Sequence, residues 1–385
     1  MSSIGHVLND LKSLVGFNTV SCNSNIELID WAENKFEAVN AQSVRIPNLD
    51  GTKANLWVRF GPETAGGIVL SGHTDVVPVE GQDWYSDPFE ILENDDRIYG
   101  RGTADMKTFI AFCTAYSTVF SNAKLNRPVH IALSYDEEVG CTGAPAMIEQ
   151  IALSPFKPSV AWIGEPTNWK VVSGHKGNVV TRVEVTGVEA HSSQTHLGIS
   201  AIEPAVKLMS ILQGISEDLK TLALDGSLFE PPYPTLTIGQ ISGGTASNIL
   251  AHKCEFVFDL RCIAGIEPDT VLAPFNRAVV ALNAEIAGRY PEAGVQLHRL
   301  CNAPPLAVTL ESEVEGFVRR LTGDNAQRAV AYTAEAGQFN EAGMPAVLCG
   351  PGSIDQAHRP NEFIEKSEIA RGVQVFDTLV KELRS

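Results

Sequence analysis

Four short apolar runs, each leading to acidic or imidazole side chains, constrain this chain more than any other feature. Ile68-Val69-Leu70 runs into Ser71-Gly72-His73, and Val129-His130-Ile131-Ala132-Leu133 runs into Asp136-Glu137-Glu138. Val160-Ala161-Trp162-Ile163 runs into Gly164-Glu165, and Ala346-Val347-Leu348 into Cys349-Gly350-Pro351-Gly352 and then His358. Runs without polar alternation are what strands buried on both faces look like. Helical stretches lie between them, Met106–Phe120 among them, so the chain reads as an α/β domain with a mixed, largely parallel sheet. Residues 4–17 and 26–40 read as amphipathic helices. In open α/β sheets ligands bind beyond the carboxyl edge of the strands, and that is where these polar residues fall.

The middle of the chain has a different character. Val183 and Val185 alternate with Arg182 and Glu184, as on a half-buried strand. Ser200-Ala201-Ile202-Glu203 has the pattern of a capping box opening a helix that runs to about Lys220, with Pro204 in or just past its first turn. Strands are expected over Thr235–Ser242 and Cys254–Arg261, a helix over Asp269–Ile286 and a last strand near Val295–Leu300. This β-α-β-β-α-β order is that of a ferredoxin-like α+β sandwich. Residues 178–294 are therefore read as a domain inserted into a first domain made of 1–177 and 295–385.

Composition excludes several classes. A net charge of −17 with no basic stripe disfavours a nucleic-acid partner. No apolar run approaches the roughly 20 residues that span a bilayer. The stretch from Met1 has neither a basic n-region nor an apolar h-region. Seven cysteines without a CxxC pair, most in apolar stretches, read as buried thiols in a reducing compartment, so a cytoplasmic location is expected. Neither a GxGxxG nor a P-loop occurs, which disfavours a nucleotide-binding α/β protein.

His73, Glu138, Glu165 and His358 follow strand ends, and Asp105 opens the helix after Gly100-Arg101-Gly102-Thr103-Ala104. Imidazoles and carboxylates crowded on one sheet edge repel one another unless cations hold them. A mixed N/O donor set suits Zn²⁺, with Co²⁺ or Mn²⁺ able to substitute. Five ligands with one shared carboxylate make a two-metal site. Taken singly, each residue has an ordinary reading: a lone histidine at a strand end is usually just hydrogen-bonded, and paired glutamates in a loop are usually surface. The ordered set is what favours the metal reading.

At Ser71-Gly72-His73-Thr74-Asp75, Gly100–Lys107, Asp136-Glu137-Glu138, Gly164-Glu165-Pro166-Thr167 and His358, the chain resembles the zinc-dependent amidohydrolase and exopeptidase family. The resemblance covers nearly the whole chain and implies a zinc-exopeptidase-like catalytic domain with a lid and dimerisation insert. It implies that Asp105 bridges two Zn²⁺ per subunit, with His73 and Glu165 completing one position and Glu138 and His358 the other. It gives Asp75 the ring N–H of His73 to accept, makes Glu137 the general base, and makes the Asp105–Met106 peptide cis. It assigns His191 of the inserted domain to the oxyanion, commonly across a dimer interface, so a homodimer is implied.

Further segments look like the branch of that family that deacetylates N-acetylornithine. They are Pro232–Gly239 with Gly243–Asn248, Asp259-Leu260-Arg261, Glu335-Ala336-Gly337 and Cys349–His358. The substrate expected from this is a small N-acyl amino acid, with Arg261 pairing its carboxylate, Asn248 its carboxylate or amide, and Glu335 favouring a cationic side chain. Arg261 has an alternative in Asp259 or Glu255 on its own strand, and Glu335 in an ordinary structural carboxylate. Cys262-Ile263-Ala264-Gly265 departs from the branch, which carries a proline-containing turn there. A desuccinylase, a broad aminoacylase or dipeptidase, and a non-catalytic binding module of the same fold remain the rival readings.

Overall fold

The computed structural model describes residues 3–308 and 312–384. Met1 and Ser2, at the head of the stretch read for a leader, lie outside them. The chain divides into two compact units, Met1–Gly174 with Leu306–Ala329 and Ala334–Ser385, and His175–Pro305 with Val330–Thr333.

The first unit is built on a six-stranded sheet. In spatial order its strands are Gln42–Pro47, Ala54–Phe60, Val129–Ser134, Ile68–His73, Val160–Ile163 and Ala346–Leu348. The last four run parallel and the first two add antiparallel pairs. Every residue of the 68–73, 129–134 and 160–163 strands is buried, which is why they carry unbroken apolar runs. Because four neighbours point the same way, the loops after His73, Ser134, Ile163 and Leu348 leave from one edge.

Helices Ile4–Gly16, Lys107–Ala115 and Lys366–Arg384 pack on one another. Between them and the strands lies an aromatic cluster centred on Phe376. Its ring centroid is 5.0 Å from that of Phe112, 5.1 Å from Tyr116 and 5.9 Å from those of Phe109 and Trp162. Trp162 also donates its indole N–H to the Cys349 carbonyl at 2.5 Å, tying two strand ends together. Glycine is needed where those ends meet: a Cβ on Gly164 would lie 2.0 Å from the Phe109 ring, and one on Gly350 2.1 Å from the Gly164 carbonyl. The close approach sets where Glu165 emerges.

The second unit is a four-stranded antiparallel sheet in the order Gly294–Ala303, Gly177–Thr186, Lys253–Cys262, Thr235–Gly243. With helices Ile202–Leu219 and Ala273–Ala287 it forms the ferredoxin-like sandwich expected from the element order. Val179, Val183 and Val185 face a core with Leu208, Leu212, Phe256, Phe258 and Phe275.

Three local expectations are corrected. The helix after Ser200 begins at Ile202 with Ala201 as N-cap and no side-chain cap; Pro204, its third residue, sits where the backbone N–H has no intrahelical partner to lose. The 269–286 helix is two pieces, Pro268–Val271 and Ala273–Ala287, because Pro274 restarts the helix in its first turn. The 106–120 helix divides at Tyr116 into Lys107–Ala115 and Ser117–Asn122.

Phe376→Ala removes the hub of the aromatic cluster and is expected to cost about 3–5 kcal/mol, read as a lowered urea midpoint. An effect below about 1 kcal/mol would mean that the cluster does not support the fold as described.

Candidate metal centre

Register brings the strand ends together: His73 is level with Ser134, and Ser71 and Leu348 both pair with Ile163. Asp105 arrives from the turn before helix Lys107–Ala115, and His358 from the loop after Leu348. The result is two groups of potential ligand atoms, His73–Asp105–Glu165 and Asp105–Glu138–His358, each with its atoms within 4.8 Å of one another. Asp105 belongs to both, and its oxygens divide between them. Oδ1 lies 3.0 Å from His73 Nε2 and Oδ2 lies 3.3 Å from His358 Nε2. His358 Nε2 is also 3.0 Å from Glu138 Oε2. His73, Asp105 and Glu165 are buried, whereas His358 is about half exposed.

The electrostatics show what the cluster lacks. Burial pushes the carboxyls of Glu137, Glu138 and Glu165 up, and neighbouring carboxylates push them further. Burial also works against charge on Asp105, but the two imidazoles outweigh it and hold that carboxyl low. His358 is raised to about 10 by its bonds to Asp105 and Glu138. Burial disfavours the His73 cation, yet Asp105 more than compensates and lifts it well above its ordinary value. The imidazoles thus supply positive charge that bound cations would otherwise supply. Glu138 Oε1 and Glu165 Oε1 are buried acceptors with no hydrogen-bond partner among the described residues. Two imidazoles, three buried or half-buried carboxylates and unpaired acceptors fit two divalent cations, zinc foremost.

Asp75 supports this arrangement in two ways. Its backbone carbonyl, 2.9 Å from His73 Nδ1, is the nearer partner of the ring, with carboxylate Oδ1 at 3.7 Å. That leaves the carboxylate to accept the Glu137 N–H at 3.1 Å, the Glu138 N–H at 3.2 Å and the Ser21 hydroxyl at 2.7 Å. One residue therefore orients an imidazole and pins the acidic loop. The Asp105–Met106 peptide is cis.

Glu137 belongs to neither ligand group. Its Oε1 accepts the thiol of Cys141 at 3.3 Å, a contact the sequence reading missed. The only signal was four-residue spacing in a Gly-rich loop. Glu335 is 1% exposed at the start of helix Ala336–Glu341, with Oε2 3.3 Å from the Ser71 hydroxyl, and burial pushes its carboxyl up to about 7.

The other three candidates are in the second unit. His191 and Asn248 are brought together there: Ser192 donates its N–H to the Asn248 carbonyl at 2.9 Å, and His191 bridges Ile249. The His191 ring is exposed with Nδ1 2.8 Å from the Ser193 hydroxyl. Arg261 pairs with Asp259, Nε to Oδ1 at 2.8 Å and Nη2 to Oδ2 at 2.9 Å, and donates to Thr333 at 3.1 Å. This is the same-strand pairing that the sequence left open.

Comparison with known proteins agrees with this geometry. Residues 69–382 match the description of peptidase family M20/M25/M40. Acetylornithine deacetylase from Pasteurella multocida is 34% identical over 94% of each chain. The enzyme of that name from Proteus mirabilis is 33% identical over 92% of this chain and 88% of its own. Among solved structures, an M20 family metallo-carboxypeptidase from Sulfolobus solfataricus superposes with a TM-score of 0.77 at 18% identity, over 98% of this chain and 99% of its own. Human carnosine dipeptidase 1 gives 0.74 at 17% identity, over 99% and 97%. At those identities the solved structures speak for the fold.

Metal-free protein is expected to gain thermal stability on adding Zn²⁺. Each site contributes about 4 kcal/mol at a free concentration about 1,000-fold above Kd. Melting curves of chelated and refilled protein check this, and coincident curves would rule out a metal centre among these residues.

Proposed function

The chain belongs to peptidase family M20/M25/M40, and on that premise we propose that it hydrolyses the amide bond of N-acetyl-L-ornithine to L-ornithine and acetate. The observation that carries this reading is the division of labour among the acids. Asp105 turns one oxygen to each ligand group, while Glu137 stands beside them and belongs to neither. The names of the relatives supply the substrate.

In this reading His73, Asp105 and Glu165 hold one cation and Asp105, Glu138 and His358 the other. Two divalent cations held there would polarise the amide carbonyl and lower the pKa of water. Glu137 takes the proton of the attacking water on Oε2, since Oε1 is engaged by Cys141, and hands it to the departing nitrogen. Asp75 keeps Glu137 in place through its backbone N–H. His191 is proposed as the donor to the developing oxyanion. Arg261, its charge partly matched by Asp259, is proposed for the substrate carboxylate, and Asn248 for that carboxylate or the amide. Glu335, being buried, would favour an ammonium group through its charge alone.

The second unit, His175–Pro305 with Val330–Thr333, is proposed as the lid and dimerisation domain that the sequence places over 178–294. Strand Thr235–Gly243 is one of the two outer strands of its sheet, and Ile241 on it is 60% exposed. An exposed edge with an apolar side chain is a template for pairing with another chain. We place the homodimer contact there. Seven cysteines, six of them buried, suit a reducing cytoplasm.

Turnover of N-acetyl-L-ornithine beside N-succinyl-L,L-diaminopimelate, with chelated and zinc-restored protein, tests the reading. Zinc-dependent preference for the acetyl substrate is expected, and preference for the succinyl substrate would move the assignment to a desuccinylase. Glu137→Gln should lower kcat by about 10²–10⁴-fold while metal content is retained. Loss of metal in that variant would make Glu137 a ligand instead of the base.

Ile241→Asp should sediment as a monomer with unchanged metal content. A dimer that survives the substitution places the contact elsewhere.

A further inference from the structure

Glu362 was not among the residues the sequence singled out, and it is the most heavily engaged carboxylate in the first unit. It is 1% exposed. Its Oε1 accepts the backbone N–H groups of Ala104 at 2.7 Å and Asp105 at 3.1 Å. Its Oε2 accepts the Gly102 N–H at 3.1 Å and Arg101 Nη1 at 2.7 Å. Its own carbonyl accepts the Gly100 N–H at 3.0 Å. One side chain therefore grips the whole turn that delivers Asp105.

The same network reaches the other ligand loop. Arg101, also 1% exposed, donates Nη1 to the Arg359 carbonyl at 3.3 Å and Nη2 to Gln82 Oε1 at 2.6 Å. Gln82 in turn donates to the His358 carbonyl at 3.0 Å. Thus the backbone before Asp105 and the backbone at His358 are held by one Glu362–Arg101–Gln82 chain. His358 and Asn361 both have positive φ, 63° and 58°, so this loop follows a path that few side chains adopt unaided.

We propose that Glu362 is a positioning residue for the metal centre: through the 100–105 turn and, by way of Arg101 and Gln82, the His358 backbone, it fixes the spacing of Asp105 and His358. The proposal rests on the ligand assignment above. A buried ion pair is weak evidence for stability in general, and here the carboxylate's other three acceptor contacts are all to the turn carrying a ligand. That concentration is what separates positioning from general support. Glutamine in its place would set an NH₂ against N–H groups that need an acceptor.

Outer partners of metal ligands typically change metal affinity by 10–100-fold, and Glu362→Gln is expected to fall in that range. The experiment titrates metal-free wild-type and variant protein with Zn²⁺ against a chromophoric chelator and records the visible spectrum of the Co²⁺-loaded forms. Far-ultraviolet circular dichroism of the metal-free proteins monitors the fold. Weakened uptake with a changed Co²⁺ spectrum, in a variant as folded as wild type and partly rescued in Glu362→Asp, supports positioning. Unchanged affinity and spectrum would overturn it. Should Glu362→Gln not fold, Gln82→Ala cuts the same chain at its partly exposed end, and an unchanged second binding step in that variant overturns the proposal equally. Wild-type protein that takes up no metal would overturn the ligand assignment itself, an outcome distinct from failure confined to the variants.

Discussion

Mutual repulsion among buried acids is the constraint around which the first unit is organised. Asp105, Glu138 and Glu165, with Glu137 beside them, lie close enough for each to raise the cost of charging the next. No arrangement of neutral neighbours relieves that. The two imidazoles offset part of it through Asp105, and the remaining unpaired oxygens of Glu138 and Glu165 mark where positive charge is still missing. A fold keeps such a cluster only if the scaffold forces it together. Here the forcing elements are four parallel strand ends, the aromatic packing around Phe376 and the close approach at Gly164 and Gly350.

Rigid support then decides which acid does what. Asp105 is aimed by a turn whose N–H groups are all spoken for, so its two oxygens can face two different ligand groups. Glu138 and Glu137 are neighbours with opposite fates: one joins a ligand group, the other faces Cys141. The two amides bound by the Asp75 carboxylate fix that divergence. Adjacent side chains of one type face different partners because both backbone amides are held by one carboxylate.

The sheet and the ligand groups were legible in the sequence because a strand buried on both faces stands out as an apolar run with conspicuous polar residues just past it, and the inserted sandwich because its half-buried strands alternate. What was not legible depended on contacts remote in sequence. Glu362 follows His358 in a polar stretch and resembles any surface acid, since its partners at 101–105 lie some 260 positions away. The second role of Asp75 was hidden because a carbonyl, which every residue has, takes the closer contact with the His73 ring. The helix breaks at Tyr116 and Leu272 are local by contrast, and the second carries its own signal in Pro274.

In the proposed function, substrate choice would rest on residues whose charges are already partly answered. Arg261 is matched by Asp259, so an incoming carboxylate would have to share or displace that partner. Such a pairing costs affinity but gains selectivity, because only a ligand with a well-placed carboxylate offers the guanidinium as good a match. Glu335 works under a different limit. At 1% exposure it cannot exchange a water shell for an ammonium group, and in the proposed role its influence would pass through the field it creates. A field discriminates by sign and not by shape. It would separate cationic from anionic side chains while leaving the size of the side chain to be read by whatever encloses it.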